Sequence, residues 1–142
     1  MAQEIIRTVS PATGKVILER PGTSLAQAQQ IARSSEEAFL QWKSTDLASR
    51  KSIVAAGLAI IQQRKEELGR ELTAQMGRPI AYSAKEIETM QKRADYLMEI
   101  AEEALQTIPG RQEEGFKRFI KKEPVGPTLI VFAWNVSLPM QY

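Results

Sequence analysis

The spacing of apolar residues along this chain changes twice, and each change marks a different kind of element. Ile5, Ile6 and Val9 precede a turn over Pro11 to Gly14, and Val16, Ile17 and Leu18 follow it. Two short β-rich runs around such a turn predict a hairpin, ended by Pro21-Gly22. From Ser24 the spacing becomes helical, with Leu25, Ala28, Ile31, Ala32, Phe39 and Trp42 on one stripe. Ser24 with Gln27 reads as a capping box. Asp46 is placed to cap a second helix whose inner face uses Ile53, Val54, Leu58 and Ile61. The pattern bends near Lys65 and resumes at Leu68, Leu72 and Met76. Gly77 then suits a C-terminal cap, and Pro79 opens the next helix.

That helix, Pro79 to Gln106, carries the stripe Ile80, Ala84, Ile87, Met90, Ala94, Leu97, Ala101 and Leu105. Glu99, Glu102 and Glu103 face outward as a solvated surface. Tyr82 and Tyr96 share a face and are assigned to core or interface packing. After Pro109-Gly110, the segment Phe116 to Lys121 reads as an exposed ribbon. Leu129-Ile130-Val131-Phe132 reads as a buried strand that leads into Ala133-Trp134-Asn135. In open α/β sheets, ligands and catalytic groups gather at that end of a strand. The expectation is one α+β domain over 1–142: an N-terminal β-hairpin at 1–20, a helical cluster over 24–106 and C-terminal strands over 116–133. Trp42 is expected in the core.

Composition narrows the chemistry. The 142 residues hold neither cysteine nor histidine, so this sequence has no disulfide, thiolate nucleophile or imidazole base, and no metal site is expected. Lys plus Arg number 19 against 17 for Asp plus Glu, too even a balance to call for nucleic acid or a membrane surface. No apolar run approaches the ~20 residues of a membrane helix. The start, Met1-Ala2-Gln3-Glu4, lacks a basic segment followed by a long apolar one, so a secretory leader is not expected and a cytoplasmic location is. The glycines are scattered at turns and form neither a dinucleotide fingerprint nor a P-loop.

Three stretches, in order, carry a resemblance: Ser10-Pro11-Ala12-Thr13-Gly14-Lys15, then Met76-Gly77-Arg78-Pro79 with Glu86, then Lys122-Glu123-Pro124-Val125-Gly126 leading through the apolar run to Trp134-Asn135. Together with Trp42 and Arg50, they resemble the N-terminal portion of the NAD(P)-dependent aldehyde dehydrogenases. The resemblance implies the fold of that portion and roughly the first quarter to third of such an enzyme. It implies that Asn135 donates its amide to the oxyanion formed when a cysteine attacks the aldehyde, and that Trp134 is a cofactor-binding residue. It also implies that the cysteine, the glutamate base and most of the NAD(P) site lie outside these residues. No cofactor is therefore expected for this chain alone. Where the family usually has one residue and then Pro after Trp-Asn, this chain has Val136-Ser137-Leu138 before Pro139.

Each candidate has a plainer reading beside it. Asn135 also fits an ordinary loop asparagine, and Glu86 and Glu123 fit structural ion pairs. The basic residues Lys117, Arg118, Lys121 and Lys122 fit protection of a strand edge better than phosphate binding. Three functions are ranked in order: a truncated aldehyde dehydrogenase-like protein, inactive alone; an assembly module for a full-length relative; and a repurposed non-redox isomerase, cyclase or lyase. Self-association, or association with a full-length family member, is expected through residues 116–133.

Overall fold

A hairpin opens the chain, β1 (Ile5–Val9) pairing antiparallel with β2 (Val16–Pro21) in a computed structural model that describes residues 4–132. Four helices follow: α1 (Leu25–Trp42), α2 (Leu47–Gln63), α3 (Lys65–Met76) and α4 (Ile80–Leu105). A second, short antiparallel pair joins β3 (Ile108–Pro109) to β4 (Phe119–Ile120). The class is α+β, as expected.

Local chemistry fixes the helix ends. The Ser24 hydroxyl accepts from the Gln27 amide while the Gln27 side chain accepts from the Ser24 amide, completing the capping box. The Asp46 carboxylate accepts from the Ser49 amide at 2.8 Å and starts α2. Gly77 ends α3 in the left-handed conformation, φ +76, which a side chain rarely adopts. A Cβ there would also lie 2.9 Å from the Pro11 ring, because the hairpin turn docks against this junction. Two of the three stretches that carried the resemblance thus touch each other. Ser10, at the base of the turn, is buried and exchanges backbone hydrogen bonds with Gly14 and Lys15.

The core lies where α2, α3 and α4 meet. Leu58, Ile87, Met90 and Ala94 are buried together, with Ile61, Leu68 and Met98 packed against them. Full burial of each large side chain contributes about 1.5–3 kcal/mol. Thr73 and Ser83 satisfy one another inside it at 2.7 Å, and the Ser83 hydroxyl also reaches the Pro79 carbonyl.

Several expected burials do not occur. No residue of α1 is buried, and Trp42 is 44 % exposed, because α1 lies outside the cluster that α2, α3 and α4 bury together. Ile53, Val54, Ile80, Leu97 and Leu105 are exposed for the same reason, at the outer ends of their stripes. Tyr82 and Tyr96 are also exposed, so they are not core residues. The strands expected over 116–133 shrink to Phe119–Ile120. Leu129 to Phe132 form no strand: a ladder needs a neighbour, and no described residue pairs with them. Their side chains are exposed, Leu129 by 90 %.

Ile87→Ala should cost about 2–5 kcal/mol of unfolding free energy in urea titration, and Trp42→Ala clearly less. Equal losses would return Trp42 to the core.

Candidate functional site

The residues assigned to chemistry by resemblance, Trp134 and Asn135, lie outside the described residues. What the structure shows is the platform beneath the segment that leads to them. It has three parts: the α1–α2 corner, the C-terminal end of α4, and residues 121–127.

Arg50 organises the corner. It lies in the first turn of α2, and its Nη2 donates to the carbonyls of Trp42 and Lys43, at 3.2 and 3.1 Å. Those carbonyls end α1 and have no partner within that helix. The guanidinium also sits 5.7 Å from the Trp42 ring centroid, a cation–π distance. Arg50 therefore holds both the backbone and the side chain of Trp42. Sequence reasoning placed Arg50 only by resemblance, since capping of a preceding helix depends on how the intervening turn closes.

A cleft of about 560 Å³ separates this corner from the end of α4, bounded by Lys43, Arg50, Leu105, Lys121, Lys122 and Glu123. Its cations serve the chain itself. Lys122 donates to the Ala104 carbonyl near the end of α4, and Lys121 pairs with Glu123. The Lys121 hydrogen bond holds the Glu123 carboxyl below the usual glutamate range. Helix C-termini carry partial negative charge and attract cations. Within the basic ribbon, Arg118 pairs with Glu113 at 2.6 Å. These contacts favour the structural reading of Lys121, Lys122 and Arg118 over phosphate binding. Glu123 is the ion-pair carboxylate that its plainer reading suggested.

Glu86 also behaves as a structural carboxylate. It pairs with Arg78 directly after the Gly77 cap, the Glu86 side chain being 15 % exposed and that of Arg78 34 %. The pair ties the start of α4 to the α3–α4 junction on which the hairpin turn rests. Among the described residues, no group of three or more carboxylates could hold a metal ion. No helix among them is long and apolar enough to cross a membrane.

A model of the aldehyde dehydrogenase family matches residues 1–141, and the chain belongs to that family. It is 30 % identical over 134 residues to a 3-sulfolactaldehyde dehydrogenase of Pseudomonas putida, covering 93 % of this chain and 27 % of that protein. A glutarate-semialdehyde dehydrogenase of the same species is 28 % identical over 142 residues, 96 % of this chain and 28 % of the relative. Among solved structures, an indole-3-acetaldehyde dehydrogenase of P. syringae in complex with NAD+ superposes with a TM-score of 0.79 at 25 % identity. The match covers 87 % of this chain and 25 % of that one. A salicylaldehyde dehydrogenase of Pseudomonas putida gives 0.78 at 15 % identity, over 87 % and 26 %. The chain therefore spans about a quarter of the length of the relatives it matches, and its fold is that of their N-terminal region.

The corner has a titratable element. The Ser49 hydroxyl, then the Ser49 amide, holds the Asp46 carboxyl below the ordinary aspartate range. A lowered folded-state value means stability that is complete above the ordinary range and is lost as the pH falls from that range through the lowered folded-state value. Asp46→Asn keeps a capping acceptor and removes the titration. The wild-type chain should therefore lose more thermal stability than the Asn variant on acidification below that range. Parallel acid limbs in thermal denaturation would exclude Asp46 as a contributor.

Proposed function

We propose that residues 1–142 supply the N-terminal scaffold, as one unit, of an NAD(P)-dependent oxidoreductase acting on aldehydes, and that the chain by itself turns over no aldehyde. The observation that carries this reading is the family match along the whole chain in a sequence without cysteine or histidine. The family reaction needs a thiolate to attack the aldehyde, a cofactor to accept hydride and a base to activate water. In this reading Asn135 supplies the oxyanion donor and Trp134 the cofactor-side wall. The thiolate, the base and most of the nicotinamide site come from other residues, and this chain alone holds no cofactor. A cytoplasmic location accompanies the assignment.

Association with another copy, or with a longer family member, goes with this reading. The hydrophobic stripe of α1 and the run Leu129 to Phe132 are exposed in one molecule, and contiguous apolar surface of that kind seldom stays bare. A repurposed non-redox enzyme has less support, because Asp46, Glu86 and Glu123 are engaged in a cap and in ion pairs, and both tyrosines of α4 face solvent.

Purified chain incubated with NAD+ or NADP+ and succinate semialdehyde, glutarate semialdehyde or indole-3-acetaldehyde tests the assignment through the absorbance of reduced nicotinamide. No reduction is expected. Turnover that Asn135→Ala abolishes would overturn it.

A further inference from the structure

The hairpin turn and the end of α3 interlock at Gly77. The Pro11 ring occupies the side of Gly77 on which a side chain would stand. A Cβ built there would lie 2.9 Å from Pro11 Cγ and 3.7 Å from Pro11 Cβ. This seat depends on the left-handed conformation of Gly77, whose amide donates to the Thr73 carbonyl at 2.9 Å and closes the α3 cap. The cap is tied to α4 on both sides. Thr73 shares a hydroxyl hydrogen bond with Ser83 at 2.7 Å, and Arg78, directly after the cap, pairs with Glu86. Within the hairpin, Arg7 pairs with Glu19 at 2.6 Å, and backbone bonds join Ser10 to Gly14 and Lys15. It is thus a unit in its own right. Of residues 4–21, Ser10 alone is buried, at 4 % exposure, and it adjoins Pro11. The hairpin therefore meets the helices at its turn.

We propose that this contact is a latch. The hairpin is held to the helices by the seat that the α3 cap forms for Pro11. It detaches as a unit when the cap opens, while the α2–α3–α4 core stays folded. Openings of this kind release contiguous elements at less than the cost of global unfolding. The coupling is mutual, so a seated Pro11 also holds the cap closed.

A single buried thiol reads the latch, because the chain has no cysteine of its own. In the full chain carrying Ser10→Cys, reaction with a thiol reagent should be slow while the turn is seated. Gly77→Asn tolerates the left-handed backbone but adds the obstructing Cβ, and should raise that rate by about tenfold or more. Gly115→Asn is the matched control, since its φ is +78 against +76 and nothing lies within 4 Å of an added Cβ. It should leave the rate within about twofold of the parent. Pro11→Ala removes the Cγ that a side chain at 77 would meet. In that background Gly77→Asn should change the rate by less than about twofold. Urea unfolding should show the helical core retained in every variant. By hydrogen exchange, the Gly77 amide should open severalfold faster in Pro11→Ala, with the Gly110 amide, bonded to the Arg118 carbonyl at 2.9 Å, unchanged. Equal effects of Gly77→Asn and Gly115→Asn, or of Gly77→Asn with and without Pro11, would overturn the latch. So would a fully reactive thiol in the parent, an indifferent Gly77 amide in Pro11→Ala, or loss of the core in Gly77→Asn, because a latch releases one element and leaves the rest.

Discussion

Helices α3 and α4 approach so closely at Gly69 that an added Cβ would meet the Ala84 amide nitrogen at 3.2 Å, and the ordered core is arranged around that contact. The approach brings Thr73 onto Ser83, whose hydroxyls satisfy each other in a place where an unpaired one would cost about 1–3 kcal/mol. It presents Ile87, Met90 and Ala94 to Leu58 of α2, which completes the buried cluster. It also sets the position of Gly77, whose left-handed cap turns the chain and leaves room for Pro11 of the hairpin. The Arg78–Glu86 pair then closes the junction from outside. Burial, capping and ion pairing converge there.

The elements were legible in the sequence because their determinants are local. Ser24, Asp46 and Gly77 end or begin helices through bonds to residues three or four positions away, and those bonds are where the sequence placed them. The break near Lys65 is equally local: α2 ends at Gln63, and α3 begins at Lys65, after Arg64 alone, without a side-chain cap. Burial was less legible because it depends on what covers a stripe. The stripe of α4 is buried from Ser83 to Ala94, where α3 and α2 lie against it, and open at Ile80 and Leu105. The stripe of α1 has the same periodicity and no buried residue. An amphipathic pattern states that a face prefers an apolar partner; it does not state which one. Leu129 to Phe132 make the same point for a strand, whose composition fits burial while the ladder requires a second strand.

Of the residues singled out as candidates, those with the clearest structural roles are the ones whose plainer readings were kept beside the functional ones. Glu86 and Glu123 are held by Arg78 and Lys121, and Arg118 is held by Glu113. Arg50 was visible only as a residue in a familiar place. Its work is to close the end of the preceding helix while lying over Trp42. That role was hidden because both acceptors are backbone carbonyls, which carry no sequence signal. Trp134 and Asn135 lie beyond the described residues, so their assignment continues to rest on resemblance.

The two neighbouring depressions on this face show how electrostatics separates scaffold from contact surface. Two helices end at the first, α1 at its carbonyls of Trp42 and Lys43 and α4 near Ala104. Arg50 and Lys122 are drawn to those partial negative charges. A basic patch built in that way is already neutralised from within, and an approaching anion would face the same carbonyls that the cations are serving. The second depression, at Phe39 and Trp42, has no charge on its lining. Water there gains little from the walls, and apolar side chains are the groups that would be favoured in its place. Cations in the first depression therefore hold the fold together, while the uncharged walls of the second are suited to receive another apolar segment.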